Sequence, residues 1–233
     1  SLSTGEHITK LTNLKRLTIG AYGLTELHPD FKNLKNLEFL DLGSNCFQNI
    51  PEILTPENFP NLRALILNAN QRHTIYDLSN DIRENVGGFI DEPKFPERIL
   101  RWNNLDTLTL PVNYLQGELP KMLDHEKWTA EEVHACDTLP EILIGLPKVL
   151  PNTNFLAINL NRLYGELPDW LLYHPHFLDW APDLLIFNQQ EKGLNSAGEA
   201  VRFDNEPKTF DYYYDVFPGT REKYELKDEL TEE

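Results

Sequence analysis

The sequence predicts a single α/β domain over residues 1–233, a curved solenoid with one parallel sheet on its concave face. Leu37 to Pro51 has the pattern L-x-x-L-x-L-x-x-N-x-φ-x-x-φ-P, where φ is apolar, and related copies begin 23 residues earlier and 25 residues later. Segments 113–120 and 161–168 are nearly the same octapeptide, 48 residues apart. Because one repeat cannot bury its own apolar face, such copies must stack, with short helices, 3-10 turns and loops on the convex side.

The first three repeats occupy about residues 8–70, and each is predicted to supply one strand. The segment from His7 to Leu14 has the spacing of a return leg, and no strand precedes it. We therefore expect either a natural cap or the loss of upstream repeats. Because the chain begins at Ser1 rather than at methionine, we also expect a mature or trimmed segment.

A Leu-x-Leu pair on a short strand points both leucines into the solenoid. The asparagine that follows is predicted to turn inward, where its amide satisfies backbone groups of neighbouring coils. Tyr22 takes its place in the first repeat. The predicted structural asparagine ladder comprises Asn45, Asn70, Asn113 and Asn161.

Two insertions interrupt the repeats. The first, about 71–101, contains a predicted helix from Ile75 to Asn85, and a repeat resumes over about 102–120. In the second insertion, about 121–152, Thr129 is a predicted helix N-cap, with Glu132 three residues later. Trp128 and Val133 have the spacing of a hydrophobic staple around that cap, and the helix is expected to end near residue 136.

The C-terminal third is predicted to complete and cover the solenoid. Repeats occupy about residues 153–190, with a sixth strand at Leu184–Asn188. Residues 191–233 are assigned to a cap, in which the aromatic, β-prone segment 210–217 covers the open end. The acidic residues from 221 onward are expected to be frayed or helical and solvated.

Composition and charge limit the classes of function. The net charge of −16 and the pI near 4.8 make a nucleic-acid partner improbable, since this surface repels phosphates. No segment approaches the roughly 18 consecutive apolar residues of a membrane span. Cys46 and Cys136 allow at most one disulfide, so they do not set the compartment.

The repeats resemble the leucine-rich-repeat family over roughly Ile8 to Asn188. The motif Asn-x-Leu-x-Gly-Glu-Leu-Pro is similar to a subclass common in extracellular receptors. The segment 167–175, followed by 187–189 and 211–214, resembles the C-terminal part of Bacteroides-type leucine-rich-repeat surface proteins, which are predicted to be exported lipoproteins. The resemblance implies an extracellular or cell-envelope location and a non-enzymatic role in binding a protein or peptide.

The side chains flanking the inward leucines are predicted to form three columns on the concave face, which is small, apolar and nearly uncharged. One interpretation makes this face a protein- or peptide-binding surface, with Phe39 and Phe155 as aromatic anchors. The other is that an insertion or end segment covers it. The candidate ligand-binding residues are Arg16, Thr18, Phe39, Asp41, Ile66, Asn68, Thr107, Thr109, Phe155 and Asn159.

No established catalytic motif is present, so we expect no enzyme activity, no cofactor and no metal site. His125 and His174 lie in the only histidine clusters worth testing as metal sites, and a structural role is favoured for both. A glycan-binding module that uses residues such as Trp170 or Trp180 is the first alternative function, although their apolar neighbours favour core packing. A hydrolase is the more distant alternative and would need a cleft with convergent carboxylates.

Overall fold

The structure is a computed structural model, and it describes residues 4–70, 73–77, 82–86, 88–89, 91–92, 94–180, 186–190, 193–194, 198 and 200–206. Within these residues the secondary structure consists of short strands, short helices and 3-10 turns. In chain order the strands are β1 (Arg16–Thr18), β2 (Phe39–Asp41), β3 (Ala64–Ile66), β4 (His73–Asp77), β5 (Ile82–Val86), β6 (Thr107–Thr109), β7 (Gln116–Gly117), β8 (Phe155–Ala157), β9 (Arg162–Leu163), β10 (Gly193–Leu194) and β11 (Ala200–Val201).

One parallel sheet contains five of the six strands that the sequence pattern predicts, in the order β1-β2-β3-β6-β8. The pairing is in register, so that the central leucine of each strand lies beside the central leucine of the next. Four of these leucines are buried and the first is half-buried, because β1 is an end strand. The central leucines are Leu17, Leu40, Leu65, Leu108 and Leu156. This arrangement is an α/β solenoid of the leucine-rich-repeat type.

The predicted ladder asparagines are all completely buried. Asn45 shows the pattern: its Nδ2 donates to the carbonyl oxygens of Leu42 and Ile19, each at 2.8 Å. Its Oδ1 accepts from the backbone N–H groups of Tyr22 and Leu24, each at 3.1 Å. One amide thus satisfies backbone groups of its own coil and of the preceding coil, which would otherwise be buried without partners.

Gln189 continues the ladder, which the sequence pattern did not predict. Its side chain is 3% exposed, and its Nε2 donates to the carbonyls of Ile186 at 2.8 Å and Ile158 at 3.1 Å. Its Oε1 accepts from the N–H of Leu163 at 3.3 Å. The repeat pattern specifies asparagine at this position and therefore does not identify Gln189. Glutamine carries the same amide group, one methylene further from the backbone.

The residue before Tyr22 and the residue before each of the four ladder asparagines adopt a left-handed backbone conformation. The φ values lie between 55° and 63°, although none of these residues is glycine. Such a conformation is uncommon for residues other than glycine, and the buried amide bonds that follow it stabilise the turn. The five residues are Ala21, Ser44, Ala69, Val112 and Leu160.

The predicted sixth strand at Leu184–Asn188 is wrong in its described part. Ile186 and Phe187 lie in a turn, and the side chain of Ile186 is completely buried instead of facing the concave surface. The coil still continues past the sheet, because the N–H of Leu160 donates to the carbonyl of Asn188 at 2.7 Å. Leu184 and Leu185 lie outside the described residues.

In the described part of the chain, the convex side consists of 3-10 turns and three short α-helices. The turns are Glu6–Ile8, Pro29–Asn33, Glu97–Arg101 and Glu141–Leu143. The helices are α1 (Ala130–His134), α2 (Asp169–Leu172) and α3 (Phe177–Trp180). Together with the inward leucines, most of these elements supply a core that includes the completely buried Phe31, Phe177 and Trp180.

The predicted helix from Ile75 to Asn85 is wrong in its described part, since residues 75–77 and 82–85 lie in two antiparallel strands. Strands β4 and β5 pair from His73↔Val86 to Asp77↔Ile82. Thr74, Ile75 and Tyr76 are β-branched or aromatic, and such residues favour strands. Pairing with a nearby strand therefore outweighs the helical spacing of the apolar residues.

In the second insertion, the predicted helix N-cap is confirmed. The Thr129 Oγ1 accepts from the N–H of Glu132 at 3.1 Å, and α1 ends at His134, two residues earlier than predicted. Trp128 and Val133 are both buried in one small cluster with Leu143, as expected of a hydrophobic staple. The boundaries of both insertions and of the cap stay predictions.

We predict that Thr129→Ala destabilises α1 by about 1 kcal/mol, because the Glu132 N–H loses its only described side-chain acceptor. Amide hydrogen exchange should show faster exchange at Glu132 and Val133, while the strands of the sheet keep their protection. Thr25→Ala is the matched control, since Thr25 is exposed and lies outside α1. Unchanged exchange at Glu132 would contradict the prediction.

The cap is described only in part. Strands β10 and β11 form an antiparallel pair, and Phe203 forms a parallel bridge with Gly165 and is buried. The aromatic segment 210–217 and the acidic end of the chain lie outside the described residues.

Candidate functional site

The register of the sheet places the candidate side chains in rows across the concave face. The first row contains Arg16, Phe39, Ala64, Thr107 and Phe155. The second row contains Thr18, Asp41, Ile66, Thr109 and Ala157. A third row follows the strand ends and contains Gly20, Gly43, Asn68, Pro111 and Asn159.

Exposure varies along these rows. Arg16, Thr18 and Phe155 are exposed, and Phe155 retains 43% of its accessible surface. Thr109, a predicted ligand-binding residue, is only 6% exposed, and its hydroxyl donates to the Oδ1 of Asn68 at 2.6 Å. Thr109 therefore belongs to the framework of the face. The remaining candidates are half-buried: Phe39, Asp41, Ile66, Asn68, Thr107 and Asn159.

The first row begins with a cation over an aromatic ring. The guanidinium carbon of Arg16 lies 4.2 Å from the ring centroid of Phe39. This distance is within the range of cation–π attraction, so the two side chains stabilise each other at the exposed end of the sheet. Phe155 lies in the same row on the last strand of the sheet.

A small pocket of ≈ 270 Å³ lies at the ends of β1, β2 and β3. Asp41 is the only carboxylate among the residues that line it. Its Oδ1 accepts from the Gly43 N–H at 2.8 Å. The lining residues are Gly20, Ala21, Asp41, Gly43, Ser44, Ile66 and Asn68.

A larger cleft of ≈ 510 Å³ lies beside the predicted histidine cluster at 124–126. The Nε2 of His125 lies 3.0 Å from the carbonyl oxygen of Leu100, a distance at which Nε2 donates to that oxygen. The walls carry both signs of charge, from Arg101, Lys148, Asp124 and Glu126. Within the described residues, no group of three or more His, Cys, Asp or Glu side chains could hold a metal ion.

His174 has a structural role. It is completely buried, its Nε2 lies 2.7 Å from the Val149 carbonyl oxygen, and its Nδ1 accepts from the His176 N–H at 3.0 Å. Burial lowers the pKa of His174 from 6.5 to about 3, because the imidazolium would lose its hydration. The ring also lies 4.1 Å from that of Trp180, centroid to centroid.

The predicted core packing of the tryptophans is confirmed for Trp170 and Trp180, which are 1% and 0% exposed. Their Nε1–H groups donate to the carbonyls of Pro120 at 2.7 Å and Thr153 at 2.9 Å. Neither ring can stack on a sugar without unfolding this part of the chain. The described aromatic side chains that remain exposed are Tyr22, Phe155 and Tyr164.

Cys46 and Cys136 are both free thiols. Burial raises the pKa of Cys46, whereas hydrogen bonding with Thr138 lowers the pKa of Cys136. No helix within the described residues is long and apolar enough to cross a membrane.

No protein-family model matches the chain, and no curated protein sequence matches it. Several solved structures resemble the chain, among them two leucine-rich-repeat proteins, both with low TM-scores. One is the leucine-rich-repeat ectodomain of the plant membrane receptor kinase GASSHO1/SCHENGEN3 from Arabidopsis thaliana, with 22% identity and a TM-score of 0.42. The other is a leucine-rich-repeat protein of Leptospira interrogans, with 22% identity and a TM-score of 0.40. Each match covers 77% of this chain, but only 16% and 39% of the respective chains.

Proposed function

We propose that this chain is a non-enzymatic binding module that recognises a protein or peptide through the concave sheet face and the adjacent insertions. The observation that carries the proposal is the row from Arg16 to Phe155, in which two partly accessible aromatic rings lie on strands of one parallel sheet. Parallel strands in register hold these side chains at fixed spacing, so a partner meets a preformed surface.

The composition of the three rows on the concave face favours a macromolecular partner over a small acidic molecule. Arg16 is the only cation in the three rows, and Asp41 is the only carboxylate. The rest of the face is apolar or carries hydroxyl and amide groups, as in the core of many protein interfaces, where charged side chains are depleted. Aromatic rings at such a face act as anchors when a partner excludes water from them.

We place the protein on a bacterial cell surface or in the secreted fraction, as a leucine-rich-repeat protein of the lipoprotein class. This part of the proposal rests on the resemblance of segments 167–175 and 211–214 to Bacteroides-type surface proteins. Fractionation of the native organism, with an antibody against the chain, tests it. Recovery in the cytosolic fraction alone would refute this location.

We predict that Phe39→Ala combined with Phe155→Ala weakens binding of a captured protein partner at least about tenfold, since interface aromatics commonly contribute more than about 1 kcal/mol each. The partner is first captured from host or envelope extracts with the wild-type chain and identified, and binding is then measured by calorimetry. Circular dichroism should show that the double variant keeps its fold, because Phe155 is exposed and Phe39 is half-buried.

The matched control is Tyr22→Ala combined with Leu11→Ala, which removes two exposed apolar side chains outside the three rows and outside both insertions. This control should leave the affinity unchanged. Equal losses in the two double variants would refute the concave face as the binding surface. A glycan array run in parallel tests the first alternative, and glycan binding that survives the Phe39 and Phe155 changes would favour it.

A further inference from the structure

We infer that the pocket around Asp41 binds a guanidinium group, the side chain of an arginine in a partner peptide. This inference rests on the proposed function, because it names the chemistry of the partner at one point of the same face. The pocket opens at the ends of β1, β2 and β3 and has a volume of ≈ 270 Å³, which suits one side chain rather than a folded segment.

The Asp41 carboxylate is held in place by a hydrogen bond to one of its two oxygens. Its Oδ1 accepts from the Gly43 N–H at 2.8 Å, which fixes the orientation of the carboxylate towards the strand end. No cation pairs with Asp41 within the described part of the chain, and its Oδ2 has no described hydrogen-bond donor. The side chain is half-buried, so a cation that reached it would be shielded from water on one side.

Asn68 supplies a second acceptor on the neighbouring coil. Its Oδ1 accepts from the Thr109 hydroxyl at 2.6 Å, which orients the amide oxygen, and this oxygen has a second lone pair. A guanidinium carries five N–H donors in a planar fork and can bond to two acceptors at once. Asp41 and Asn68 line the same pocket, which places a carboxylate and an amide oxygen beside one bound guanidinium.

Two glycines give the pocket its depth. A Cβ at Gly20 would lie 3.3 Å from the carbonyl oxygen of Gly43. A Cβ at Gly43 would lie 3.1 Å from the Asp41 Oδ1 and 3.3 Å from the carbonyl oxygen of Asn68. Neither glycine has a positive φ, so the backbone itself does not demand glycine here. Their effect is to leave open the space beside the Asp41 carboxylate, since a Cβ at Gly43 would lie against its Oδ1.

Charge favours a basic group over an acidic or neutral one. The whole chain carries 37 acidic and 21 basic side chains, and its field attracts cations before contact. At the near end of the same strand, the ring of Phe39 already holds a guanidinium, that of Arg16. An extended basic peptide could therefore place an arginine at Asp41 and apolar residues along the first row.

The test uses the full chain and a defined probe, the blocked amino acid N-acetyl-arginine methylamide. Titration followed by nuclear magnetic resonance should show saturable shifts of the Gly43 and Ser44 backbone amides. The citrulline analogue has nearly the same shape and no charge, and it should cause no saturable shift. Asp41→Asn, which keeps an acceptor for the Gly43 N–H, should weaken arginine binding by about tenfold or more, the loss expected for a charge-assisted hydrogen bond.

Two further variants test whether arginine binding depends on the shape of the pocket or only on the net charge of the chain. Gly20→Ala should weaken the arginine probe by narrowing the pocket while the carboxylate stays. Asp204→Asn makes the same change in net charge at an exposed position outside the three rows and both insertions, and it should leave the affinity unchanged. Equal shifts with arginine and citrulline, or equal losses in the Asp41 and Asp204 variants, would overturn the inference.

These outcomes can be distinguished from failure of the proposed function. If the pocket does not bind arginine while the Phe39 and Phe155 changes still abolish partner binding, only the inference fails. If the pocket binds arginine in an Asp41-dependent way but the aromatic changes leave partner binding intact, the proposed recognition through the sheet face fails instead.

Discussion

Replacement of Asn113 by alanine is expected to lower the free energy of unfolding by about 3 kcal/mol, the largest effect that we predict for a single side chain. Asn113 is completely buried near the middle of the ladder. Its Nδ2 donates to the carbonyls of Leu67 at 2.7 Å and Leu110 at 2.9 Å, and its Oδ1 accepts from the Asn70 N–H at 2.9 Å. The same Oδ1 also accepts from the Asn70 Nδ2 at 3.2 Å. Alanine removes all four bonds and leaves a cavity.

The four groups that lose a bond to Asn113 are not equivalent, and the Asn70 Nδ2 keeps its bond to the Leu67 carbonyl. The Leu67 carbonyl keeps a bond from Asn70 at 3.0 Å, and the Leu110 carbonyl keeps one from Asn161 at 2.9 Å. The Asn70 N–H has no other described acceptor, so most of the cost arises from this buried donor. We therefore expect a cost of roughly 1–3 kcal/mol for the unpaired N–H, with the lost carbonyl bonds and the cavity adding the remainder.

Urea denaturation followed by circular dichroism measures this effect. Asn49→Ala is the control, because Asn49 is exposed and has no described side-chain hydrogen bond; its unfolding free energy should change by less than about 0.5 kcal/mol. A loss below about 1 kcal/mol for Asn113→Ala would show that water or a shift of the coils replaces the amide.

The second large effect is a pH dependence that arises from His174. The folded-state pKa is about 3, against an ordinary value of 6.5, because burial penalises the charged imidazole. Between these two values the unfolded chain binds a proton that the folded chain does not. The contribution of neutral His174 to the free energy of unfolding is therefore fully present above pH 6.5. It decreases as the pH is lowered from 6.5 to 3, and below pH 3 this residue causes no further loss.

From pH 7 to pH 5, this one residue should lower the unfolding free energy by about 2 kcal/mol, since one pKa unit corresponds to about 1.4 kcal/mol. His174→Gln removes the titration and keeps a side-chain N–H donor for the Val149 carbonyl. Unfolding free energies of both chains are compared at pH 7, 6 and 5, so that the many carboxylates cancel in the difference. Equal slopes in the two chains would refute a neutral, buried His174.

The repeat pattern predicted the sheet because it encodes local geometry. Leu-x-Leu at positions such as Leu40 and Leu42 places both side chains on one face of a strand, and only stacking buries that face. The same logic predicted the rows of concave residues and the inward turn of Asn45. The Thr129 helix cap was predictable for a similar reason, since a cap depends on residues only three positions apart.

The errors occur where contacts distant along the chain compete with local preference. Residues 75–85 have helical spacing, yet 75–77 and 82–85 lie in the paired strands β4 and β5. Ile186 was assigned to a sixth strand, whereas it lies in a buried turn and Gln189 makes the amide bonds of the ladder there. The left-handed conformation of Val112 likewise has no local signal, because it depends on the ladder bonds that follow.

By itself, the sequence determined that this protein stacks short parallel strands and, for the five strands of the sheet, which side chains point into the core and which lie on the concave side. These properties follow from the two-residue period of a strand and from the need of each repeat to bury its leucines. Only the tertiary structure decided that Thr109 is buried, that His174 stays neutral, and that Asp41 and Asn68 line one pocket between glycines. These properties depend on the distance between coils, which residue spacing within one repeat does not encode.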